Sequence, residues 1–282
     1  MLLINGECAD QLQVSDRGLH YGDGLFTTLE VQAGQPVFLA YHLGRLQTGC
    51  ARLNISPINW RQLLIEVETL SQQHYQATGL SCAVVKIIIT RGSGGRGYRP
   101  PDDCHATRIV SIHPFPDYPP HYWQDGVTVR FCATRLGLNQ SLAGIKHLNR
   151  LEQVLARAEW SDSAIQEGLM LDNNGCVIEG TMTNLFFRKA QIVYTPKLTQ
   201  AGVAGIMRMI VMELLMRNGI ALLEIEVSQA KLLAADELFV TNSLIGLWPV
   251  KQLEQHCLSI GSLTRQLQTW LAQYKHDSLR LV

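Results

Sequence analysis

Residues 83–90, which read Ala-Val-Val-Lys-Ile-Ile-Ile-Thr, carry the strongest β-strand signal in the sequence. β-Branched side chains favour strands because they pack well on a pleated, half-buried surface. Two earlier segments, residues 41–53 and 59–75, instead repeat apolar residues at helical spacing. Further strand and helix patterns follow along the chain, so the sequence predicts a mixed α/β (α+β) fold.

The domain organisation is indicated by length and by one proline-rich segment. A chain of 282 residues is long enough for one large or two moderate domains. Residues 113–120 hold four of its ten prolines, a composition typical of a stiff linker. We therefore predict a smaller N-terminal α/β domain at 1–113, a linker at 114–120 and a larger C-terminal α/β domain at 121–282.

Charge and cysteine usage narrow the class of protein. The 24 basic side chains balance the 24 acidic ones, which argues against a nucleic-acid or anionic-membrane partner. The sequence has neither a leader pattern at its start nor an apolar run long enough to span a bilayer. Its 7 cysteines are scattered without metal-binding spacing, which favours reduced thiols. We expect a cytoplasmic protein with no metal site.

Lys146 is the first candidate for chemistry. It follows the small Ala143-Gly144 pair and precedes a helical pattern formed by Leu148, Leu151, Val154, Leu155 and Ala158. A lysine at the mouth of a helix can point into a cleft, where burial near other cations lowers the pKa of its amine. The neutral amine can then form a Schiff base with a carbonyl group. Position alone favours the alternative of an ordinary solvated lysine.

Two further side chains could bind charged groups. Glu179 ends a hydrophobic strand, where a buried carboxylate requires a partner, although a strand-end residue can also lie in solvent. Arg45 lies one position off the apolar stripe of the helix at 41–53. A guanidinium suits phosphate geometry, but this arginine could equally lie on the surface.

Backbone and loop features add to these candidates. Residues 201–208 form a glycine-bearing loop that enters a helix, where unpaired N–H groups can face an anion. Residues 241–243 place hydroxyl and amide side chains at the end of a strand. The loop at 91–98 combines glycines with Arg91, Arg96 and Tyr98, which suits either carboxylate binding or a flexible basic hairpin.

Together these features match the needs of pyridoxal phosphate. This cofactor requires an amine for a Schiff base, a carboxylate for its pyridine nitrogen, and cations, N–H groups and hydroxyls for its phosphate. Each feature is common alone, and their occurrence in one chain is far less common.

Several segments are similar to one enzyme family over nearly the whole length. They are Ser-Asp-Arg at 15–17, Tyr-Gly-Asp-Gly-Leu-Phe-Thr-Thr at 21–28, His-Leu-Gly-Arg-Leu at 42–46, Arg-Gly-Ser-Gly-Gly-Arg-Gly-Tyr at 91–98, Leu-Ala-Gly-Ile-Lys-His-Leu-Asn-Arg-Leu-Glu-Gln at 142–153 and Gly-Ile-Met-Arg at 205–208. On these motifs the chain resembles the aminodeoxychorismate lyases, which are two-domain, fold-type IV enzymes that depend on pyridoxal 5'-phosphate.

The resemblance implies roles for three groups of residues. Lys146 would carry the Schiff base and move the substrate proton, and Thr28 would face the reacting carbon. Glu179 would hold the pyridine nitrogen, and the phosphate would be bound by Arg45, Ile206, Met207, Asn242 and Ser243. The implied ligands of the substrate carboxylates are Arg91, Arg96 and Tyr98.

The implied reaction converts 4-amino-4-deoxychorismate to 4-aminobenzoate and pyruvate for folate synthesis, and the family is typically homodimeric. The alternative is a D-amino-acid or branched-chain aminotransferase of the same fold, which would share the cofactor residues. A branched-chain enzyme typically has tyrosine five residues after the lysine, where this chain has Leu151. A protein that only carries the cofactor would share the same motifs without turnover.

Overall fold

The computed structural model describes residues 1–280, and these divide into two compact units. Unit 1 comprises residues 1–116, residues 146–149 and the described residues from Asp277 onward. Unit 2 comprises residues 117–145 and 150–276. The predicted mixed α/β class is confirmed, because each unit contains a β-sheet with helices packed against it.

The described part of unit 1 is built on a six-stranded antiparallel sheet with strand order β2-β1-β6-β5-β3-β4. Its elements are β1 (Leu2–Ile4), β2 (Glu7–Cys8), α1 (Arg17–Tyr21), β3 (Gly24–Gln32), β4 (Gln35–Pro36), α2 (Leu39–Arg52), α3 (Trp60–Thr78), β5 (Cys82–Thr90) and β6 (Thr107–Pro114). The predicted strand at 83–90 is confirmed as β5, which pairs along its length with both β3 and β6. Its β-branched residues therefore fill the middle of the sheet, where Val85, Ile87 and Ile89 are fully buried.

The lysine segment adds to the edge of β3. The N–H of Phe26 donates to the carbonyl of Lys146 at 2.9 Å, and the N–H of Leu148 donates to the carbonyl of Gly24 at 3.0 Å. These two bonds flank the antiparallel bridge between Leu25 and His147. Residues 146–149 belong to unit 1 because they pair with β3 in this way.

The described part of unit 2 is built on a nine-stranded mixed sheet with strand order β12-β11-β10-β13-β14-β7-β8-β9, in which β15 pairs with β14. Its elements are α4 (His121–Gln124), β7 (Val127–Leu136), α5 (Leu151–Arg157), β8 (Glu167–Asp172), β9 (Val177–Gly180), β10 (Asn184–Lys189), β11 (Ile192–Pro196), α6 (Ile206–Arg217), β12 (Leu222–Ile225), α7 (Gln229–Leu233), β13 (Glu237–Asn242), β14 (Gly246–Leu253), β15 (His256–Cys257) and α8 (Ser262–Arg280), whose last residues belong to unit 1. The apolar core gathers on β7, β8, β10, β13 and β14, around fully buried residues such as Leu185 and Trp248.

Helix α5 exposes most of its apolar residues. Leu151, Val154 and Leu155, which belong to the helical pattern after Lys146, are 75%, 61% and 61% exposed. The residues before Leu151 pair with β3 and are not helical, which leaves a short helix whose Ala156 is the buried side chain. The predicted helix is therefore present, but it begins at Leu151 and not directly after Lys146.

Candidate active site

Lys146 lies against an aromatic ring on one face of the unit 1 sheet. Its Nζ is 4.7 Å from the centroid of the Phe26 ring, and the Nζ of Lys86 is 5.4 Å from the same centroid. Thr28 lies on the same face of β3, two residues after Phe26, and is paired in register with Lys86. The sheet therefore presents an amine, an aromatic ring and a hydroxyl together, and Lys146 and Thr28 belong to one group.

Arg45 is held by a buried hydroxyl that the sequence analysis missed. The Nη2 of Arg45 donates to the Oγ1 of Thr27 at 2.5 Å, and the same oxygen lies 2.6 Å from the Nδ1 of His42. The Thr27 oxygen therefore joins the guanidinium of Arg45 to the imidazole ring of His42. Thr27 was missed because its position on β3 matches that of an ordinary core residue.

The charges of this cluster follow from burial. Burial, with the nearby charges of Arg45 and Lys146, holds the pKa of His42 well below its usual value of 6.5. Burial also lowers the pKa of Arg45 to about 10, so the guanidinium keeps its charge at neutral pH. Unit 1 thus provides a permanently charged guanidinium, that of Arg45, and both Arg45 and Lys146 lie close enough to His42 to lower its pKa.

In unit 2 the carboxylate of Glu179 is 4% exposed at the end of β9. Its Oε2 accepts from the N–H of Val203 at 2.8 Å and from the Nδ2 of Asn184 at 3.5 Å. Arg150 lies within electrostatic range, because its pKa is lowered by burial while Glu179 and Glu152 act in the opposite direction. The sequence left open whether this glutamate is buried or lies in solvent; the structure buries it among donors that no sequence pattern identified.

A second buried carboxylate organises the turn that follows Glu179. Glu167 is fully buried, and burial raises the pKa of its carboxyl group against the opposing effect of its hydrogen bonds. Those bonds come from the N–H groups of Gly168, Thr181 and Met182 and from the hydroxyls of Thr181 and Thr183. The turn at 181–183 joins β9, which ends beside Glu179, to β10, which begins at Asn184.

The N-terminus of α6 offers backbone donors. Gly205 is the N-cap residue and supplies no side-chain cap, and the first helical residues, Ile206 and Met207, are buried. A Cβ atom at Gly205 would lie 2.1 Å from the Oδ1 of Asn184, so the close approach of these segments requires glycine. An uncapped helix N-terminus favours an anion through its N–H groups and its dipole.

Asn242 forms the turn after β13. Its Oδ1 accepts from the N–H groups of Leu244 and Ile245 at 2.9 and 3.0 Å, and its Nδ2 donates to the carbonyl of Met182 at 3.2 Å. Ser243 lies half-buried within this turn. The Asn242 amide therefore links the turn to the segment beside Glu179.

The three predicted substrate ligands differ in their surroundings. Arg91 donates twice to the carboxylate of Asp23, at 2.7 and 3.0 Å, and also to the carbonyls of Leu53 and Asn54. Arg96 and Tyr98 are exposed, with 87% of Tyr98 accessible to solvent. The structure thus presents Arg96 and Tyr98 at the surface of the loop and holds Arg91 by internal contacts.

The described residues show neither a metal-binding cluster nor a helix that could cross a membrane. Residues 1–280 contain no group of three or more histidine, cysteine or acidic side chains arranged to bind a metal ion. Within the same residues, no helix combines the length and apolar composition that crossing a bilayer requires.

Comparison with known proteins gives a consistent result. Residues 24–253 match the amino-transferase class IV family. An aminodeoxychorismate lyase from Vibrio harveyi is 38% identical over 275 residues, covering 95% of this chain and 98% of that protein. The crystal structure of 4-amino-4-deoxychorismate lyase from Pseudomonas aeruginosa has a TM-score of 0.92 at 46% identity, covering 97% of this chain and 98% of the other. A D-alanine aminotransferase from Bacillus licheniformis is 28% identical, covering 96% and 93%.

These similarities extend over nearly the whole chain and include the segments that hold the lysine, the buried glutamate and the α6 N-terminus. They confirm the resemblance read from the sequence motifs and the fold-type IV architecture. The chain belongs to the amino-transferase class IV family.

Proposed function

We propose that this protein is a lyase that depends on pyridoxal 5'-phosphate and converts 4-amino-4-deoxychorismate to 4-aminobenzoate and pyruvate, in the synthesis of folate. The observation that carries the proposal is the similarity to two lyases, at 38% and 46% identity, against 28% for the D-alanine aminotransferase. The exposed Arg96 and Tyr98 support it, because a substrate with two carboxylates needs cationic and hydroxyl donors.

The residues present fit the cofactor. Lys146 has the amine that would attach it, and Arg45 has a guanidinium that stays charged at neutral pH. The N–H groups of Ile206 and Met207, with Asn242 and Ser243, would bind its phosphate, and Glu179 would hold its pyridine nitrogen. The glycine at 205 supports this assignment, since a side chain there would displace Asn184 from the donors around Glu179. When bound, the cofactor supplies an electron sink for the charge that forms at the substrate carbon.

The residues of the chain would then carry out three tasks. The Lys146 amine would take the proton from the carbon that bears the substrate amino group. The electron pair left at that carbon makes the ring aromatic as the bond between the ring and the enolpyruvyl oxygen breaks. The enolpyruvate that leaves takes up one proton at its methylene carbon and becomes pyruvate, which balances the proton removed by Lys146. Thr28 would face the reacting carbon, while Arg96 and Tyr98, with Arg91 beside them, would orient the carboxylates.

We also propose that the protein is a cytoplasmic homodimer with no nucleic-acid or membrane partner. Its seven cysteines are free thiols, which suits a reducing compartment. The exposed apolar residues of α5 suit a contact with a second copy, because neighbouring apolar side chains on a helix favour burial.

A coupled assay tests the activity. Purified protein with the cofactor and 4-amino-4-deoxychorismate is expected to release pyruvate and 4-aminobenzoate in equal amounts. The alternative aminotransferase is supported by the similarity to the D-alanine aminotransferase. An enzyme that produces neither compound but exchanges amino groups between amino and keto acids would replace the lyase proposal with this alternative.

Replacing the lysine tests its role. Lys146→Ala removes the only group proposed to attach the cofactor and move the proton, so turnover should fall by at least about 1000-fold. Lys86→Ala is the matched control, since its amine approaches the same Phe26 ring. Borohydride should fix the cofactor to the Lys86→Ala protein and not to the Lys146→Ala protein. Substantial turnover by Lys146→Ala would contradict the assignment.

A further inference from the structure

One half-buried carboxylate in unit 1, that of Asp23, joins two arginines that the proposed reaction leaves without a shared role. Arg17 is 3% exposed, and its Nε donates to the Oδ2 of Asp23 at 2.9 Å. Arg91 donates to both oxygens of the same carboxylate, at 2.7 and 3.0 Å. Although burial raises the pKa of Asp23, the hydrogen bonds from Arg91 and Arg17 outweigh it and keep that pKa below its usual value. Asp23 is therefore a fixed anion that orients both guanidinium groups.

The remaining donors of Arg17 bind the glycine loop. Its Nη1 donates to the carbonyl of Gly97 at 3.1 Å, and its Nη2 donates to the carbonyl of Tyr98 at 3.0 Å. The guanidinium also lies 4.8 Å from the centroid of the Tyr21 ring, which in turn packs edge-on against the Tyr98 ring at 5.7 Å. A planar guanidinium can make these contacts at once because its donors point in fixed directions.

The backbone around Arg17 is itself firmly held. The carboxylate of Asp16 accepts from the N–H of Gly18 and from the hydroxyls of Thr90 and Thr107, at 2.8, 2.9 and 3.0 Å. The N–H of Arg17 donates to the carbonyl of Gly92 at 2.9 Å. Arg17 therefore projects from a rigid base formed by the ends of β5 and β6.

The part of the glycine loop around Gly97 and Tyr98 depends on the Arg17 guanidinium to hold its conformation. Gly92, Gly94, Gly95 and Gly97 all have positive φ angles. Glycine loses more conformational freedom on ordering than any other residue, so a loop of this composition is costly to hold in one conformation. Arg96 and Tyr98, the exposed substrate candidates, lie on this part of the loop.

We propose that Arg17 is a positioning residue for the substrate loop: held by Asp23, its guanidinium fixes the carbonyls of Gly97 and Tyr98 and thereby presents Arg96 and Tyr98 to the substrate carboxylates. Arg91 donates to the same Asp23 carboxylate and so helps to keep it in place for Arg17. The identity of the substrate rests on the proposed function, whereas the anchoring of the loop rests on the contacts of Arg17 alone.

The main test variant is Arg17→Lys, which keeps a cation beside Asp23 and loses the fork that spans the two carbonyls. We expect KM for 4-amino-4-deoxychorismate to rise about tenfold, with kcat within about twofold of the wild-type value. The reason is that substrate binding must then supply the free energy that orders the loop. Trypsin should cleave the bond between Arg96 and Gly97 at least about tenfold faster, since a released loop is accessible to protease. Arg61→Lys, the same change at an exposed position of α3, is the control and should alter neither quantity.

A second variant leaves the buried network intact. Gly97 has a φ of +73°, and a Cβ atom there meets nothing within 4 Å, so Gly97→Ala acts only by straining the backbone that Arg17 holds. It should raise KM and the cleavage rate in the same direction as Arg17→Lys, even if the latter folds poorly.

The outcomes separate this proposal from the proposed function. Unchanged cleavage and KM in both variants, or a fall in kcat with KM unchanged, would overturn the positioning role. If the wild-type protein does not turn over 4-amino-4-deoxychorismate, the lyase proposal fails, and the cleavage rates alone decide: faster cleavage in the variants supports loop anchoring by Arg17, and equal rates overturn it.

Discussion

Among single residues, Thr27 has the most consequential contacts for its size. Its hydroxyl accepts a hydrogen bond from Arg45 and forms a second one with the Nδ1 of His42, in a position that is fully buried. A buried donor or acceptor left without its partner costs more than the bond itself contributes. The orientation of the Arg45 guanidinium therefore depends on Thr27, an uncharged residue that is not itself proposed to bind the cofactor phosphate.

Replacing this hydroxyl with a methyl group isolates its effect. Thr27→Val keeps the volume of the side chain but removes the hydrogen-bond acceptor of Arg45 and the hydrogen-bond partner of His42 Nδ1, so the free energy of unfolding should fall by about 1 to 3 kcal/mol. The affinity for pyridoxal phosphate should fall as well, because Arg45 is no longer held. Urea titration and cofactor titration by absorbance measure the two effects.

Thr48→Val, at an exposed position of α2, is the control and should change neither the free energy of unfolding nor the cofactor affinity. Unchanged cofactor affinity in Thr27→Val would show that Arg45 does not need this bond.

The buried His42 makes the stability of the folded protein depend on pH. Its pKa in the folded protein lies well below 6.5, so the unfolded chain binds more protons as the pH falls below that value. Stability is therefore fully present above pH 6.5 and declines as the pH falls below it, because the unfolded chain gains a proton that the folded protein does not. In His42→Asn the side-chain amide can pair with the Thr27 hydroxyl without titrating, so this part of the decline should disappear. Urea unfolding at both pH values measures it, and equal pH dependence in the two proteins would count against a buried neutral His42.

Among the residues assigned to chemistry, those with a local sequence signature could be predicted. Lys146, Glu179 and Arg45 were identified because each departs from the apolar pattern around it. Thr27, Asn184 and Val203 could not be identified, because a threonine, an asparagine and a backbone N–H have no distinctive spacing. Their contribution comes from contacts with segments 15 to 24 residues away along the chain.

At the level of elements, the start of α6 shows how a glycine enforces a site. The α6 N-terminus and β10 approach so closely that a Cβ atom on residue 205 would collide with the side chain of Asn184. Asn184 also donates to the carbonyl of Val203 at 2.9 Å, which joins the loop before α6 to the strand after Glu179. The helix N-terminus and the Glu179 carboxylate are therefore positioned as one arrangement within unit 2.

An alanine at this position should disrupt that arrangement. In Gly205→Ala the new Cβ would lie 2.1 Å from Asn184 Oδ1, so the amide must move away from Val203 and Glu179. We expect cofactor affinity to fall at least about tenfold, a change of about 1.4 kcal/mol. Gly44→Ala is the matched control, since its Cβ meets nothing within 4 Å in the interior of α2 and should stabilise the protein by up to about 1 kcal/mol. Cofactor titration and thermal unfolding measure the two outcomes, and wild-type affinity in Gly205→Ala would contradict the role given to this approach.

Helix α5 shows the limit of periodicity as a guide to packing. Apolar residues at helical spacing indicate a helix that buries one face, and the helix is present. The pattern cannot tell whether that face meets the core of the same chain or another surface. In this chain, residues 146–149 are drawn onto β3 and leave the apolar residues of α5 exposed.

For the whole molecule, the exposed face of α5 leads to a prediction about assembly. If this face contacts a second copy, then Leu151→Lys with Leu155→Lys would place two cations in an apolar contact, and the dimer should dissociate at least about 100-fold more readily. Met216→Lys is the control, because Met216 is an apolar residue on α6 with 73% exposure. Light scattering coupled to size-exclusion chromatography measures the mass, and circular dichroism confirms that the variants remain folded. An unchanged dimer in the double variant would exclude α5 from the interface.

The sequence by itself determined the mixed α/β class and the family, and it supplied Lys146, Glu179 and Arg45 as candidate site residues. These depend on signals contained in short segments, namely strand and helix periodicity and residues that break an apolar pattern. Only the tertiary structure decided that the lysine segment extends the edge of β3, that the apolar face of α5 is exposed, and that Asp23 binds both Arg17 and Arg91. The physical reason is that each of these features depends on hydrogen bonds or packing between segments far apart in the chain, and local periodicity carries no information about which distant segment will supply the partner.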